Sequence, residues 1–269
     1  MNLGNFVLKQ KEDICYLTIP IFEKYRNLFH LFTTRKTGYN GKDLNLGINT
    51  PTSLEEVYKN YLKLCRILNI NTKNIVLSDQ VHEDNILIVN DSYKSRNFLF
   101  DKKVKNADGL ITNKKNIFLF TLYADCTPIY FYDPINEVIG VSHSGWKGTI
   151  KEIGKKTILK MKSVFNSQPE NILIALGPSI GPESFEVRKD VKTLFEKKFG
   201  KEVIKPKNEE KFLINIWKAI EISLIEVGIK KENILISNID TYSNTDLFFS
   251  YRKEGNTGRM TTIMALIDT

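Results

Sequence analysis

The stretch PIYFYDPINEVIGVSHSGWKG, residues 128–148, contains two apolar runs on either side of a turn sequence. Residues 128–132 and 137–142 have the apolar composition of buried strands. Between them, Asp-Pro-Ile-Asn at 133–136 suits a type I turn, which favours Asp at its first position and Pro at its second. The stretch therefore predicts a buried β-hairpin.

Three helix-then-strand units are predicted outside this hairpin. Apolar residues recur with the helical period over 53–69, 149–165 and 216–227, and Ser53 and Asn215 are suitable N-caps for the first and third helices. After each helix comes nearly the same buried tetrapeptide, Asn-Ile-Val-Leu or Asn-Ile-Leu-Ile. Further strands are predicted at 28–34, 85–89, 117–123, 247–251 and 259–267, and Gly255-Asn256 predicts a second hairpin.

The mixture of antiparallel hairpins with helix-then-strand units predicts the fold class. It favours an α/β fold with α+β character, in which mixed β-sheets form layers and helices pack outside them. No linker rich in Gly, Ser or Pro divides the chain, so we expect one domain over residues 1–269.

Composition and charge exclude several classes of protein. No apolar run approaches the roughly 20 residues of a membrane span, and the N-terminus lacks an apolar stretch of signal-peptide length. Three cysteines are too few and too scattered for a disulfide framework, so we expect a cytoplasmic protein without membrane contact. The net charge of +8 comes mostly from scattered lysines, and no nucleic-acid-binding motif accompanies it. A solvated lysine-rich surface is therefore favoured over a nucleic-acid partner.

Residues that can bind a metal lie near strand ends. The hairpin would place Cys126, which precedes its first strand, beside His143, which follows its second. His82 follows another strand, whereas His30 lies inside an apolar run and is expected to be a core residue. Two imidazoles and a thiolate would suit a catalytic zinc and could also hold copper. Without a metal, Cys126 and His143 could form a nucleophile–base pair. The glycines after His143 are expected to let the loop turn sharply.

The order of short motifs resembles the YfiH/YlmD family of laccase-domain proteins, which are described as polyphenol oxidases or as purine nucleoside phosphorylases. The resemblance implies a layered α/β fold with mixed sheets, and implies that His82, Cys126 and His143 are zinc ligands. The motifs, in order, are FTTRKTGYNGKDLNLG (32–47), SDQVH (78–82), NADGLITN (106–113), ADCTPI (124–129), HSGWKG (143–148), GPSIGPESFEV (177–187) and FFSYRKEGNTGRM (248–260).

These motifs contain further candidate site residues. Asp125 precedes the cysteine and is the candidate catalytic proton shuttle, with a turn cap as the alternative. Arg35 and Lys147 are candidate substrate-binding residues, because a cation would help to hold phosphate. Arg252 is a further substrate-binding candidate that could line the pocket, with pairing across a hairpin as the alternative. Lys147 stands where family members often have Arg, and Lys lacks the planar fork of a guanidinium.

The resemblance implies a function, and alternatives stay open beside it. The implied activity is zinc-dependent phosphorolysis of adenosine, inosine or methylthioadenosine, with adenosine deamination as a second activity. Zinc can activate a water for attack on C6 of adenine, as in other zinc deaminases. The alternatives are a copper-dependent phenol oxidase, a metal-free cysteine hydrolase or amidase using Cys126 and His143, and a non-enzymatic interaction protein. Three histidines are too few for a multicopper cluster, which argues against the oxidase. The sequence does not predict an oligomeric state.

Overall fold

The computed structural model describes residues 1–95, 97–101 and 104–268. The α-helices in this part of the chain are α1 (Leu54–Leu68), α2 (Trp146–Ile150), α3 (Ile153–Phe165), α4 (Lys189–Phe199), α5 (Ile216–Glu226) and α6 (Tyr251–Glu254). The strands are β1 (Asn2–Leu3), β2 (Phe6–Lys11), β3 (Ile14–Thr18), β4 (Leu28–Thr33), β5 (Ile75–Leu77), β6 (Ile86–Ile88), β7 (Gly109–Thr112), β8 (Phe118–Tyr123), β9 (Thr127–Asp133), β10 (Val138–Ser144), β11 (Leu173–Leu176), β12 (Glu186–Arg188), β13 (Ile204–Pro206), β14 (Lys211–Ile214), β15 (Ile234–Ile236) and β16 (Met260–Leu266). None of the helices described is long and apolar enough to cross a membrane.

Strands β9 and β10 form the predicted antiparallel hairpin. The carboxylate of Asp133 closes the turn by accepting hydrogen bonds from the backbone amides of Ile135, at 2.9 Å, and Asn136, at 3.2 Å. Side chains alternate along β9, so that Ile129 and Tyr130 belong to different core clusters. Both faces of the hairpin are therefore buried, which explains its almost continuous apolar sequence.

The strands assemble into two large mixed sheets and one small antiparallel sheet. The seven-stranded sheet has the order β1-β2-β3-β4-β16-β8-β5, the six-stranded sheet β15-β11-β9-β10-β7-β6, and the small sheet β12-β14-β13. In the large sheets, β5 pairs parallel with β8, β6 with β7, and β11 with β15, while the other pairs are antiparallel. The predicted α/β fold with mixed sheets is confirmed.

The two large sheets pack face to face, and helices cover their outer faces. The core between the sheets combines Phe32 of the seven-stranded sheet with Tyr130 of the six-stranded sheet. Tyr61 of α1 packs on the outer face of the seven-stranded sheet. Met161 of α3 packs with the six-stranded sheet, whereas α4 contacts the small sheet and the helices α2 and α5. This arrangement confirms layered sheets with helices outside them. That residues 1–269 form a single domain stays a prediction.

All three helix-then-strand units are present, as α1 with β5, α3 with β11 and α5 with β15. The predicted caps are confirmed. The Ser53 hydroxyl accepts from the Glu56 amide at 3.2 Å, and the Asn215 side chain accepts from the Lys218 amide at 2.9 Å. The middle helix differs from the prediction, because Glu152 has a left-handed φ of 57° and separates α2 from α3. One continuous helix over 149–165 was therefore a wrong prediction.

The predicted strand at 247–251 and the hairpin at Gly255-Asn256 are also wrong. This segment instead contains the short helix α6, and Ser250 is its N-cap, accepting from the Lys253 amide at 3.3 Å. Gly255 has a φ of 72° and ends that helix. The amide of Arg252 donates to Asp125 at 2.6 Å, so it is bonded to a side chain rather than to a neighbouring strand.

Candidate metal centre

His82, Cys126 and His143 come together at the open end of the β9–β10 hairpin. One potential ligand atom from each residue lies within 4.8 Å of the other two, and the two imidazole centroids are 4.8 Å apart. His143 pairs with Pro128 across the hairpin, which places it close to Cys126, two residues before that proline. His143 is buried, Cys126 is half-buried and His82 is exposed. The predicted grouping of these three side chains is thus present.

Asp108 orients both histidines. Its fully buried carboxylate lies 2.9 Å from Nδ1 of His143 and accepts hydrogen bonds from the amides of Val81, His82 and Glu83 at 2.9–3.1 Å. These amide bonds hold His82 in its left-handed conformation, with a φ of 61°. Because Asp108 occupies Nδ1 of His143, Nε2 is the nitrogen of that ring available to an ion.

Charges within the cluster favour an ionised thiol. Burial alone would raise the pKa of Cys126, but the charge of His143 and hydrogen bonds from His143 and His82 outweigh burial and lower the pKa to about 6. Burial alone would lower the pKa of His143, but Cys126 and Asp108 raise it to about 9. The metal-free cluster therefore contains a thiolate beside an imidazolium at neutral pH, and the thiolate is the form that binds metal.

The donor set fits zinc. Catalytic zinc sites use three protein ligands drawn from imidazole, thiolate and carboxylate groups and leave the fourth position open. A carboxylate behind a ligating imidazole, as Asp108 stands behind His143, is the usual outer support of such a site. Nitrogen and thiolate donors also suit copper, so the residues themselves do not choose between the two metals.

Gly145 lets the loop after β10 approach the cluster. A Cβ atom at this position would lie 3.1 Å from Sγ of Cys126 and 3.4 Å from Cδ2 of His82. The φ of Gly145 is −72°, which any residue adopts, and Gly148 lies within α2. The expectation that these glycines serve a sharp turn is wrong, since Gly145 instead leaves room for the sulfur and the imidazole.

Two cavities meet at the cluster. They share His82, Ala124, Cys126 and Tyr251 as lining residues. The first, called the apolar cavity, has a volume of about 370 Å³ and is lined further by Asp125, Gly145, Trp146, Lys147, Ile180, Phe185, Ile216 and Arg252. The second, called the polar cavity, has a volume of about 510 Å³ and is lined further by Gly47, Ile48, Asn49, Thr50, Ser78, Asp79, Gln80, Leu122, His143 and Arg259.

Two of the predicted substrate-binding cations lie at the apolar cavity. Lys147 is exposed, with its ammonium 5.7 Å from the ring of Trp146. Arg252 stacks over Phe185 at 5.5 Å and donates from a terminal guanidinium nitrogen to the carbonyl of Glu186 at 2.7 Å. Both cations are therefore at the cavity rim, although contact with a substrate stays a prediction.

Arg35, the third predicted cation, is placed differently. It is not among the described residues that line either cavity. Its guanidinium lies 2.6 Å from a carboxylate oxygen of Asp43 and 2.8 Å from one of Glu254, and stacks over Phe249 at 4.4 Å. Burial by itself would lower the pKa of Arg35, but these two carboxylates raise it. The structure therefore does not bring Arg35 together with Lys147 and Arg252.

Asp125 lies at the apolar cavity, but protein groups already engage its carboxylate. It accepts hydrogen bonds from the hydroxyls of Thr241, at 2.7 Å, and Ser250, at 3.1 Å, and from the amide of Arg252 at 2.6 Å. Burial raises its pKa, and these hydrogen bonds only partly oppose that effect. Asp125 thus ties the start of α6 to the segment before β9. Its catalytic role as a proton shuttle stays a prediction.

Sequence reasoning missed two residues of the site. Asp108 lies in the NADGLITN motif, and that motif was the only available signal. Arg259 lies near the end of the last motif and lines the polar cavity, with its guanidinium 5.9 Å from the ring of Tyr251. Burial lowers the pKa of Arg259, which marks a cation partly removed from water.

The chain is similar to known proteins in sequence and in fold. A family profile described as multi-copper polyphenol oxidoreductase laccase matches residues 29–267. The chain is 29% identical to a Bacillus subtilis protein named purine nucleoside phosphorylase YlmD, over 87% of each chain. It is 30% identical to a Bacteroides thetaiotaomicron protein named purine nucleoside phosphorylase, over 93% of this chain and 94% of that one. The crystal structure of a Bacillus licheniformis hypothetical protein YfiH superposes with a TM-score of 0.89 at 28% identity, covering 98% of this chain and all of the other.

Proposed function

Since the chain belongs to the family described as multi-copper polyphenol oxidoreductase laccase, and relatives are named purine nucleoside phosphorylase, we propose that it is a zinc-dependent enzyme that cleaves purine nucleosides with phosphate. In the proposed reaction a phosphate oxygen bonds to C1′ of the ribose as the C1′–N9 bond breaks. The base leaves with the bonding electron pair and takes the proton of hydrogen phosphate. Adenosine thus gives adenine and ribose 1-phosphate.

One observation carries this proposal, namely that the His82–Cys126–His143 cluster lies where an apolar and a polar cavity meet. A nucleoside has the same two characters, because its base presents flat apolar faces while its ribose and the attacking phosphate are polar. Apolar and aromatic walls with a few placed polar groups are typical of small-molecule sites. The cluster would therefore lie beside the bond that is broken.

Zinc is the metal that we propose, held by His82, Cys126 and His143. When bound, zinc supplies a Lewis acid that stabilises developing negative charge and lowers the pKa of water toward neutrality. The remaining roles belong to the chain. Asp108 keeps Nδ1 of His143 protonated and fixes the ring, and the thiolate form of Cys126 is available without an external base.

The residues of the apolar cavity have proposed roles toward the substrate. Trp146 and Phe185 offer apolar surface to the base and exclude water from it. Lys147 and Arg252 place positive charge at the rim, where they would attract anionic and polar groups. Inosine and methylthioadenosine are further proposed substrates. Deamination of adenosine by water, giving inosine and ammonia, is the proposed second activity, with Asp125 as the candidate proton shuttle.

A metal-free cysteine hydrolase is the second candidate, because one specific arrangement favours it. The Cys126 thiolate, the His143 imidazolium and the Asp108 carboxylate stand in the order of a nucleophile, the base that has taken its proton and the group that orients the base. In that mechanism His82 has no role. A copper-dependent phenol oxidase is disfavoured, because four-electron reduction of oxygen uses several coppers and the whole chain has only three histidines.

Metal analysis combined with a product assay tests the proposal. Protein purified without added metal should contain about one zinc per chain and should convert adenosine to adenine and ribose 1-phosphate only when phosphate is present. Cys126→Ser should lose both zinc and turnover. Turnover that persists in a metal-free, chelator-treated protein but disappears in Cys126→Ser would refute the zinc enzyme and support the cysteine hydrolase. Oxidation of phenols with bound copper would instead support the oxidase.

A further inference from the structure

We propose that the polar cavity is the phosphate compartment of this site and that Arg259 is the residue that binds the phosphate there. The proposal rests on the proposed phosphorolysis for its biological meaning, but phosphate binding can be measured without turnover. It changes the expectation from sequence, in which Arg35 and Lys147 were the candidate phosphate ligands.

Arg259 has the free hydrogen-bonding capacity that an anion site needs. One terminal nitrogen of its guanidinium donates to the carbonyls of Thr257, at 2.6 Å, and Gly258, at 2.8 Å. Nε and the other terminal nitrogen have no hydrogen-bond partner within the described part of the chain. These two nitrogens form the planar fork that binds phosphate oxygens in a bidentate manner.

No carboxylate lies within ion-pair distance of the Arg259 guanidinium among the residues described, although nearby anionic groups, Cys126 first, partly oppose the effect of burial on its pKa. Arg35, by comparison, lies within ion-pair distance of two carboxylates. A guanidinium that is partly removed from water and has no carboxylate partner pays a desolvation cost, which an incoming anion would offset. The polar cavity does contain one acidic residue, Asp79, which accepts a hydrogen bond from the Asn106 amide at 3.4 Å. The phosphate is therefore assigned to the Arg259 end of the cavity.

The backbone around Arg259 is held by a dedicated loop. The side chain of Asn45 accepts hydrogen bonds from the amides of Arg259, at 2.8 Å, and Gly47, at 2.9 Å, while the Leu46 amide donates to the Arg259 carbonyl at 3.0 Å. A Cβ atom at Gly47 would lie only 2.6 Å from Cγ of Arg259. The segment 45–47 thus packs directly on Arg259 and fixes its position before phosphate binds. Less conformational entropy of the Arg259 side chain is then lost on binding.

The walls of the two cavities separate the phosphate from the base. Thr50, Ser78 and Gln80 line the polar cavity, as do Cys126 and His143. The hydroxyls of Thr50 and Ser78 already donate to the Gly47 carbonyl and the Gln80 side chain, and Nε2 of Gln80 donates one hydrogen to the Leu122 carbonyl, so Arg259 is the main donor that remains for phosphate. In the apolar cavity, Trp146 and Phe185 suit the faces of a purine instead. Phosphate held by Arg259 would then approach C1′ from the side opposite to the base that leaves.

Phosphate titration of matched variants tests the proposal. Calorimetry with inorganic phosphate alone, on the protein as purified, compares wild type with Arg259→Gln and with Arg26→Gln, a control at an exposed arginine. We expect Arg259→Gln to weaken phosphate binding about 10- to 100-fold, as for loss of hydrogen bonds to a charged group. Its KM for phosphate should rise similarly while its KM for adenosine changes less than about twofold. Arg26→Gln should match wild type.

Several outcomes would overturn the assignment. Wild-type protein that does not bind phosphate, or equal phosphate affinity in wild type and Arg259→Gln, would do so. Loss of phosphate affinity in Lys147→Gln or Arg252→Gln, with normal affinity in Arg259→Gln, would move the phosphate to the apolar cavity. If Arg259→Gln does not fold, phosphate binding is measured in Arg259→Lys instead. This variant keeps the positive charge and the aliphatic stem but loses the planar fork of the guanidinium. Wild-type affinity in that variant would refute bidentate binding.

The same measurements separate this inference from the proposed function. Phosphate binding that depends on Arg259, together with no formation of adenine from adenosine, would refute phosphorolysis and keep the anion site. Formation of adenine that requires phosphate, with an unchanged KM for phosphate in Arg259→Gln, would keep phosphorolysis and refute the role of Arg259.

Discussion

Two histidine–arginine pairs in this protein have opposite surroundings. His30 lies in β4 and Arg35 follows that strand, whereas His143 lies in β10 and Arg259 precedes β16. Burial does not distinguish the histidines, since His30 is 9% exposed and His143 is 3% exposed. The pairs differ in what their polar atoms contact. The polar atoms of His30 and Arg35 are bonded to other protein groups. His143 and Arg259 instead line the polar cavity.

The two histidines show the difference most clearly. Nδ1 of His30 accepts a hydrogen bond from the Ile19 amide at 3.3 Å, and its ring packs edge-on against Phe22. Burial lowers the pKa of His30 to about 4, so the ring is neutral. The carboxylate of Asp108 and the thiolate of Cys126 have the opposite effect on His143. Burial alone therefore does not distinguish the two histidines, whereas their charged partners and the neighbouring cavity do.

Removal of metal ligands is the largest effect expected from this comparison. His82→Ala and His143→Ala should each reduce zinc affinity and turnover by more than about 100-fold, because loss of an outer-shell partner alone typically costs 10- to 100-fold. His30→Ala should keep zinc content and turnover and lose only stability. Zinc analysis measures the metal content of each variant, and the assay with adenosine and phosphate measures its turnover. Full zinc content and full activity in His82→Ala would break the comparison and favour the cysteine hydrolase.

Asp108→Asn should have the next largest effect. The amide nitrogen of Asn would face backbone N–H donors, and the ring of His143 would lose its negatively charged partner. Zinc affinity measured by competition with a chelator should fall about 10- to 100-fold, with some loss of stability. A chelator titration that superposes on that of wild type would show that the carboxylate does not support the metal ligand.

The pH dependence of stability should depend on His30. Its folded pKa of about 4 lies below the ordinary value of 6.5, so between these pH values only the unfolded chain takes up the proton. Stability from the neutral ring is thus present above pH 6.5 and is lost as the pH falls toward 4, by about 2 kcal/mol at about pH 5. Urea denaturation of the metal-free protein at about pH 5 and about pH 7 measures this loss.

A matched variant isolates this contribution. His30→Gln retains an acceptor for the Ile19 amide but cannot titrate, so its stability should fall less than that of wild type over the same pH interval. The contribution of His143 has the opposite sign. Its raised pKa gives stability below pH 6.5 that is lost as the pH rises through about 9. An identical loss of stability at low pH in wild type and His30→Gln would contradict the neutral buried ring.

Gly47→Ala should have the smallest effect and sharpens the contrast between the two arginines. The added methyl group would lie 2.6 Å from Cγ of Arg259 and 2.7 Å from Cγ2 of Thr50, so the guanidinium must shift. The KM for phosphate should rise several-fold, less than the roughly 10- to 100-fold expected for loss of the hydrogen bonds themselves. Gly41→Ala is the control, because this glycine has a φ of 75° and no atom near its Cβ position. Gly41→Ala should lower thermal stability and leave the KM for phosphate unchanged. Equal KM values for phosphate in wild type and Gly47→Ala would show that Gly47 does not position Arg259.

The sequence by itself determined the secondary-structure elements that depend on residues close together in the chain. Apolar periodicity, the caps Ser53 and Asn215, and the Asp-Pro turn each act within a few residues, so the β9–β10 hairpin and the three helix-then-strand units were predictable. The hairpin register in turn brought Cys126 to His143. His82 was grouped with them because it also follows a strand, and the resemblance of motifs implied the same three residues, although 44 residues separate His82 from the cysteine.

Only the tertiary structure decided which polar residues face the site. The break at Glu152, the helix at 251–254 and the placing of Asp108 all depend on contacts with segments distant in the chain. Arg35 and Arg259 have similar sequence signals, since both lie in conspicuous motifs. Glu254, 219 residues away, occupies the guanidinium of Arg35. Asn45, 214 residues from Arg259, holds that residue by its backbone, and two of the three guanidinium nitrogens of Arg259 have no hydrogen-bond partner in the described part of the chain. Such partners follow no periodic pattern, and they become neighbours only when β4 pairs with β16 in the seven-stranded sheet.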